Sequence, residues 1–565
     1  MRKIVQKKSI LMLFLLACLF MVTACGGQPT AETVADTVLQ SSVIYTVASE
    51  EPIAGGVAIA GNQILAVGTM EELTPYIAES TVIKDMGDQM IMPGFIEGHT
   101  HSGAAWTTSG VNVTGVESKE EIGEMVKAWA EANPDEPWIF GGGWYAANWG
   151  GEEPTKEDLD KYVSDRPVAL DDFDGHNGWY NSKALELAGI TKETAKELSV
   201  NGEIVVDNNG EPTGYIKEGP RELIYNLVPP LDDISYLEAA IDVWPAVGIT
   251  SISEMSLNTP DGTLMTQLKQ LETEGKLKVR HFVSLDMACT EEELKEGMKL
   301  YASDMLRPTA VKAFLDGVGS VGTAAMLQPY EGTDNSGEMY MTEDELAEGF
   351  IKADNLGLGG HVHACGDRAV RTGLNAYEKM IQTNGSKERR NISVEHCDTT
   401  APEDIPRFAE LGVGANLTPD FMAPTAKWSD NPYIKVYDEK VEKELWNTGS
   451  FIKSGALITF GTDSFYSTMN PLVQIYRAVE RVCNDGEPKG GYMPEEKIDV
   501  KTAIRCYTIN SAKSVGMEDK IGTLEAGKYA DIIVLDHNIL TASPQEIFDT
   551  KVVFTMMDGK VVYEK

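Results

Sequence analysis

IMPGFIEGHTHSG, residues 91–103, is an apolar run that ends in two histidines one residue apart. Pro93-Gly94 marks a turn, and Phe95-Ile96 opens a short buried strand. Alternate side chains on a strand share a face, so His99 and His101 point the same way, about 7 Å apart along the backbone. Two imidazoles so placed suit a metal ion, but a lone His-x-His also suits a solvated strand end. The remainder of the chain has to choose between them.

Downstream, the sequence keeps a regular beat. ITSISEM, VRHFVSL, AVKAFLD, GGHVHAC, ISVEHCD, GVGANLTP and LITFGTDS are short runs rich in β-branched or apolar residues, and helix-like stretches such as DELAEGFIKADNLG separate most of them. With the opening run they make eight candidate strands. Strand and helix alternating eight times predict an α/β fold, a (β/α)8 TIM barrel over residues 91–514, with a doubly wound open sheet as the alternative. Residues 105–245, dense in Trp, Tyr, Gly and Asn, are too long for a simple connection and predict an insertion over the barrel mouth. Short β-rich runs with glycine turns at residues 41–90 and 515–565 predict one small β-sandwich built from both ends of the chain.

At 565 residues the chain exceeds one compact core, so a large domain with smaller attached pieces is expected. The net charge of −39 is spread along the sequence and excludes the basic face that nucleic-acid binding needs. Residues 1–24 carry Arg2, Lys3, Lys7 and Lys8 before an apolar segment too short for a comfortable permanent span. That segment ends in Val22-Thr23-Ala24-Cys25, which resembles a bacterial lipobox. The expected address is export, with lipid on Cys25, a polar tether over residues 25–40 and membrane contact through that anchor alone. The other reading is an ordinary secretory signal. Among seven cysteines no Cys-x-x-Cys pair occurs, so Cys289, Cys365, Cys397, Cys483 and Cys506 are expected to be mostly buried thiols.

Catalytic residues of such barrels sit at the C-terminal ends of strands. His99 and His101 end the first predicted strand, Lys312 lies in the fourth, His363 ends the fifth, His396 the sixth and Asp463 the eighth. Four of the eight histidines therefore occupy strand ends. Four imidazoles and a carboxylate form a donor set suited to zinc. Lys312 is the odd member: burial can free its amine to add carbon dioxide as a carbamate, while residue chemistry alone favours a salt bridge to Asp316.

MPGFIEGHTH, VKAFLDG, VHACGDRAV, VEHCD and FGTDS resemble the first-, fourth-, fifth-, sixth- and eighth-strand signatures of the metal-dependent amidohydrolase superfamily, in its YtcJ-like branch (amidohydrolase family 3). WIFGGGW and DGHNGWYNSKAL resemble its insertion, and TLEAGKYADIIVLD its closing strand. The resemblance implies that His99, His101, His363 and His396 bind one or two divalent metal ions, zinc above all. It also implies a bridging carbamate on Lys312, with Asp463 as ligand and proton carrier. Glu97, Tyr145 and Ser253-Glu254 depart from the family pattern, as does GSVGTAAM, which lacks an arginine common after the lysine strand. None removes a metal ligand. Trp144, His176 and Trp179 of the insertion, with Asp316, are the candidate substrate contacts. His361, on the face of His363 but deeper, is expected to be structural, and His281 and His537 carry no expected role.

The expected reaction is hydrolysis of a non-peptide C–N bond in a small-molecule amide, with Asp463 passing a proton to the departing nitrogen. The rivals are ester, phosphoester or dipeptide hydrolysis on the same barrel, and a surface lipoprotein that binds ligands without turnover. A homo-oligomer is compatible with the sequence.

Overall fold

The eight apolar runs become eight parallel strands: β1 (Phe95–Thr100), β2 (Ile249–Asn258), β3 (Arg280–Asp286), β4 (Leu306–Phe314), β5 (Gly359–Ala364), β6 (Ile392–His396), β7 (Gly414–Leu417) and β8 (Leu457–Phe460). The computed structural model describes residues 34–102, 110–173, 175–228, 234–387, 390–423, 427–431, 433, 437, 439–463 and 469–565. The expected signal segment and Cys25 lie outside the described residues.

Each strand pairs in parallel with the next, and β1 borders β2. Strands of such a sheet are covered on both faces, so all six residues of β5 and all five of β6 are buried, their histidines and Glu395 included. The ring closes where β8 returns to β1: the Asp463 N–H donates to the His99 carbonyl at 2.9 Å. That approach admits no side chain. A Cβ at Gly98 would lie 2.6 Å from the Phe460 oxygen, and one at Gly461 2.6 Å from the His99 nitrogen.

Between the strands the helices start and stop on local signals. Thr342 and Glu345 form a reciprocal capping box at the start of helix Glu343–Leu356, and Gly357 ends it at φ 83°. Its Leu346, Phe350 and Ala353 pack into the core around the barrel, beside Val370, Leu374 and Tyr377 of helix Asp367–Asn384. Gly317-Val-Gly-Ser-Val-Gly322 has the spacing of a dinucleotide-binding turn but follows β4 into a single 3₁₀ turn, Gly319–Val321, so the chemistry of that motif does not arise.

The two ends of the chain share one eight-stranded mixed sheet. Strand Met90–Pro93 lies at its middle, parallel to Thr37–Ile44 and antiparallel to Ile532–Leu535. Residues 90–93 thus belong to this sheet, and the barrel begins at Phe95 rather than at 91. The first strand starts at Thr37, inside the span expected to be tether. Arg280 of β3 fastens the sheet to the barrel: its guanidinium, 1% exposed, donates to both carboxylate oxygens of Asp531 (2.9 and 3.1 Å) and to Asp558 (2.9 Å).

The segment after β1 builds its own six-stranded sheet from Val111–Asn112, Ile139–Trp144, Val168–Asp172, Asn177–Tyr180, Gly202–Val206 and Pro212–Glu218. It ends earlier than expected, because helix Ser235–Ala246 places Leu237, Ile241 and Trp244 in the core around the barrel. Cys289, Cys365, Cys397, Cys483 and Cys506 are all buried thiols, with no disulfide among the described residues. No helix among the described residues is long and apolar enough to cross a membrane.

Candidate metal centre

β1 delivers His99 fully buried at the C-terminal end of the barrel, and the strand's period brings His101 to the same side. Asp463 faces both: its Oδ1 lies 3.1 Å from His99 Nε2 and 3.1 Å from His101 Nε2. From β6 comes His396, whose Nδ1 is 3.7 Å from Asp463 Oδ2 and whose ring centroid is 4.7 Å from that of His99. His99, His396 and Asp463 each offer one ligand atom, and these atoms all fall within 4.8 Å of one another. His396 and Asp463 hold left-handed backbones, φ 75° and 53°. Such strain in non-glycine residues persists where the surrounding structure imposes it, here at two strand ends that must aim a side chain at one point.

Burial alone would push the Asp463 carboxyl up, but His396, His99 and His101 hold it well below the usual carboxylate range. Burial pushes the His396 and His363 imidazoles well below theirs, so both are neutral bases. For His99, burial and then Lys312 act downward while Asp463 and Glu395 act upward, and the carboxylates prevail. A cation entering there would displace a proton. The donor set passes a direct test of fit: His396 Nδ1 is buried with no hydrogen-bond partner among the described residues, which suits a metal ligand.

Lys312 brings its amine 3.4 Å from His99 Nε2, over the ring of Phe314, and burial lowers its pKa. The salt bridge to Asp316 does not form. Asp316 instead accepts backbone N–H groups from Ala325 (2.8 Å), Cys365 (3.1 Å) and Gly366 (2.9 Å), and burial pushes its carboxyl up to about 8. It shapes the turn that follows β5 and lies 3.7 Å from His363 Nε2. His363 packs its ring 4.5 Å from that of His396, but its Nε2 meets the Gly317 carbonyl at 3.2 Å, outside the three-residue cluster.

The insertion reaches this centre through His176. Its ring lies 5.3 Å from His363, and its Nδ1 is 2.8 Å from Glu218, which also accepts from Thr323 at 2.8 Å. Trp144 and Trp179 do not join it. They are 2% and 0% exposed, stack with Trp149 and Tyr215 inside the insertion, and donate to the carbonyls of Leu170 and Thr155. Aromatic density there marked a core, not a pocket wall.

One residue escaped the sequence reading. Glu395, 0% exposed, accepts from His99 Nδ1 at 2.7 Å, from His361 Nδ1 at 3.2 Å and from the Ser393 hydroxyl. Burial would raise its pKa, yet those two imidazoles hold it well below the carboxylate range. An ionised carboxylate only accepts, so His99 must donate from Nδ1 and present Nε2 to the centre. The available signal was period: Ser393 and Glu395 share one face of β6. Glu395→Ala should weaken metal retention by about 10–100-fold, read as metal content after dialysis against graded chelator. Unchanged retention would show that Glu395 does not orient His99.

A model of the amidohydrolase family matches residues 83–563. The Arabidopsis thaliana protein LONG AFTER FAR-RED 3 is 30% identical, covering 98% of this chain and 96% of its own. The N-substituted formamide deformylase of Arthrobacter pascens is 25% identical over 94% of this chain and 98% of its own. The crystal structure of an uncharacterized metal-dependent hydrolase from Pyrococcus furiosus superposes with a TM-score of 0.68 at 29% identity, covering 89% of this chain and 100% of that one.

Proposed function

The chain belongs to the amidohydrolase family, and on that premise we propose that it hydrolyses a non-peptide C–N bond, that of an N-substituted amide. The observation that carries the reading is the convergence of His99, His396 and Asp463 at the barrel mouth, with His396 Nδ1 buried and without a hydrogen-bond partner among the described residues. The likeness to an N-substituted formamide deformylase favours an amide over an ester, a phosphoester or a dipeptide. His99, His101, His396 and Asp463 would hold a divalent ion, zinc by its donor preference, with His363 beside His396. A zinc ion there supplies Lewis acidity and lowers the pKa of water toward ~7.

The protein's own groups divide the remaining work. Asp463, ionised among three imidazoles, takes the proton that the attacking water releases and hands it to the departing nitrogen, since an amine leaves poorly unless protonated. Glu395 and His361 fix His99 from below. His176, held by Glu218, faces His363 where the acyl part would enter. Lys312, buried and without an ion pair among the described residues, would help hold a divalent ion once its amine has added carbon dioxide as a carbamate.

Asp463→Asn should retain much of its metal while kcat on a plain N-substituted amide falls by roughly 10²–10⁴. A loss smaller than about tenfold would reduce Asp463 to a ligand. The parent chain, loaded with zinc, should turn over N-substituted formamides faster than matched esters, phosphoesters or dipeptides. Preference for any of those three would overturn the proposed bond class.

Lys312→Ala should lose metal and activity together, with partial return of both on adding a short carboxylic acid. Full metal content and activity in that variant would remove the carbamate. The proposed address is a membrane surface, through lipid on Cys25 after cleavage of residues 1–24. Cys25→Ser should release the chain from membranes or block its processing, and unchanged attachment and processing would sink the idea.

A further inference from the structure

Helix Pro471–Glu480 ends on Arg481, whose backbone lies in the left-handed region at φ 55°, ψ 47°. A long side chain rarely accepts that conformation. Here it turns the guanidinium inward to 2% exposure, against Trp446 and Tyr492. Nε donates to the Tyr492 carbonyl at 2.5 Å and Nη1 to the Trp446 carbonyl at 3.1 Å. Among the described residues Nη2, which is buried, has no hydrogen-bond partner, and no carboxylate pairs with this cation. Glu496, the carboxylate acting on it most strongly, is committed to the Ser450 amide (2.7 Å) and hydroxyl (2.5 Å).

A small cavity lies against the same side chain, lined by Thr418, Met422, Trp446, Arg477 and Arg481 among others. It has room for about one small occupant, a water or a monatomic ion. Thr418 Oγ1, on its wall, is also buried and has no hydrogen-bond partner among the described residues. The wall carries two guanidiniums, and Asp420 answers only that of Arg477, at 3.1 Å. Short of an ion pair, the Arg481 charge is answered only in part, by the Tyr492 ring at 5.7 Å and by Glu496 acting through space. Burying such a charge is unfavourable, and a guanidinium cannot shed its proton to escape. A water would satisfy the donors but leave the charge; phosphate, sulfate or a substrate carboxylate is too large for the space.

We propose that this cavity is a binding site for one halide-sized monovalent anion, held by Arg481 Nη2 and the Thr418 hydroxyl. Its place gives it a bearing on the metal centre. Thr418 follows β7 directly, and Phe421, one turn on, stacks its ring 6.0 Å from that of His396. The anion would brace the loop that walls the centre without touching it. This inference stands whether or not the proposed bond class is right.

The test uses the whole chain in chloride, bromide or gluconate at one ionic strength. Thermal unfolding should move up by roughly 1–3 °C, saturably, when chloride or bromide replaces gluconate. Arg481→Met should abolish that response, and Thr418→Val should shift its midpoint to higher halide. Crystals soaked in bromide should show an anomalous peak against Arg481 Nη2. Equal stability in the three salts, a response that survives Arg481→Met, or a bromide soak with no anomalous peak in the cavity would each overturn the proposal. Should Arg481→Met fail to fold, the soak and Thr418→Val decide it.

Discussion

An anion with no access to water organises the inside of the barrel. Glu395 lies at 0% exposure among strands whose backbone donors are already engaged in the sheet, so only side chains can answer its charge. His99 from β1, His361 from β5 and Ser393 from β6 do so. This arrangement ties β1 to the neighbouring pair β5 and β6, across the ring, at one point. It also decides which edge of His99 faces the mouth, hence where Asp463 and His396 can meet it. The same logic repeats one layer up, where Asp463 stays ionised only because imidazoles surround it. Two stacked carboxylates, each faced by histidines, make a polar axis inside the barrel, which also buries Glu97, Glu254 and Lys312.

Much of this was legible from residue order, and the failures have identifiable physics. The alternation of strand-like and helix-like segments named all eight strands, because each is a local property of a short apolar run. Period two paired His99 with His101 and set His361 below His363. It could not unite Glu395 with His396, adjacent residues that alternation sends to opposite faces. The left-handed turn at His396 and Cys397, φ 75° and 49°, swings the imidazole back toward the mouth, and nothing local in VEHCD announces it. Closure was hidden for a different reason: Gly98 and Gly461 matter only because backbones over 360 residues apart touch there. Lys312 and Asp316 look like an ion pair at i, i+4, but β4 has already ended at Phe314, and Asp316 turns to three backbone amides instead.

The insertion joins the mouth through a single strained residue. Glu218 holds φ 59°, ψ −139°, a region natural only to glycine, at the end of the strand Pro212–Glu218. With that backbone its carboxylate grips His176 on one side and Thr323 of the loop after β4 on the other. Burial acts to raise the Glu218 pKa, but His176 and Thr323 prevail and keep it below the ordinary value. A sheet with its own core is thereby pinned to the barrel beside His363, and the entrance is shared among three distant stretches of sequence.

The interleaved terminal sheet bears on how the molecule comes into being. Ile91 pairs with Val534, so a strand made early has no neighbour on one side until residues 532–535 have followed it. Until then Met90–Pro93 presents an open apolar edge, the template on which wrong partners add. Contacts of such sequence separation close slowly, because the entropy of a long loop is surrendered before any pairing rewards it. Assembly is therefore gated at the end: the strands at 532–535 and 552–557 act as a clasp, and a chain that stops short of them keeps its seam unsealed and prone to aggregate.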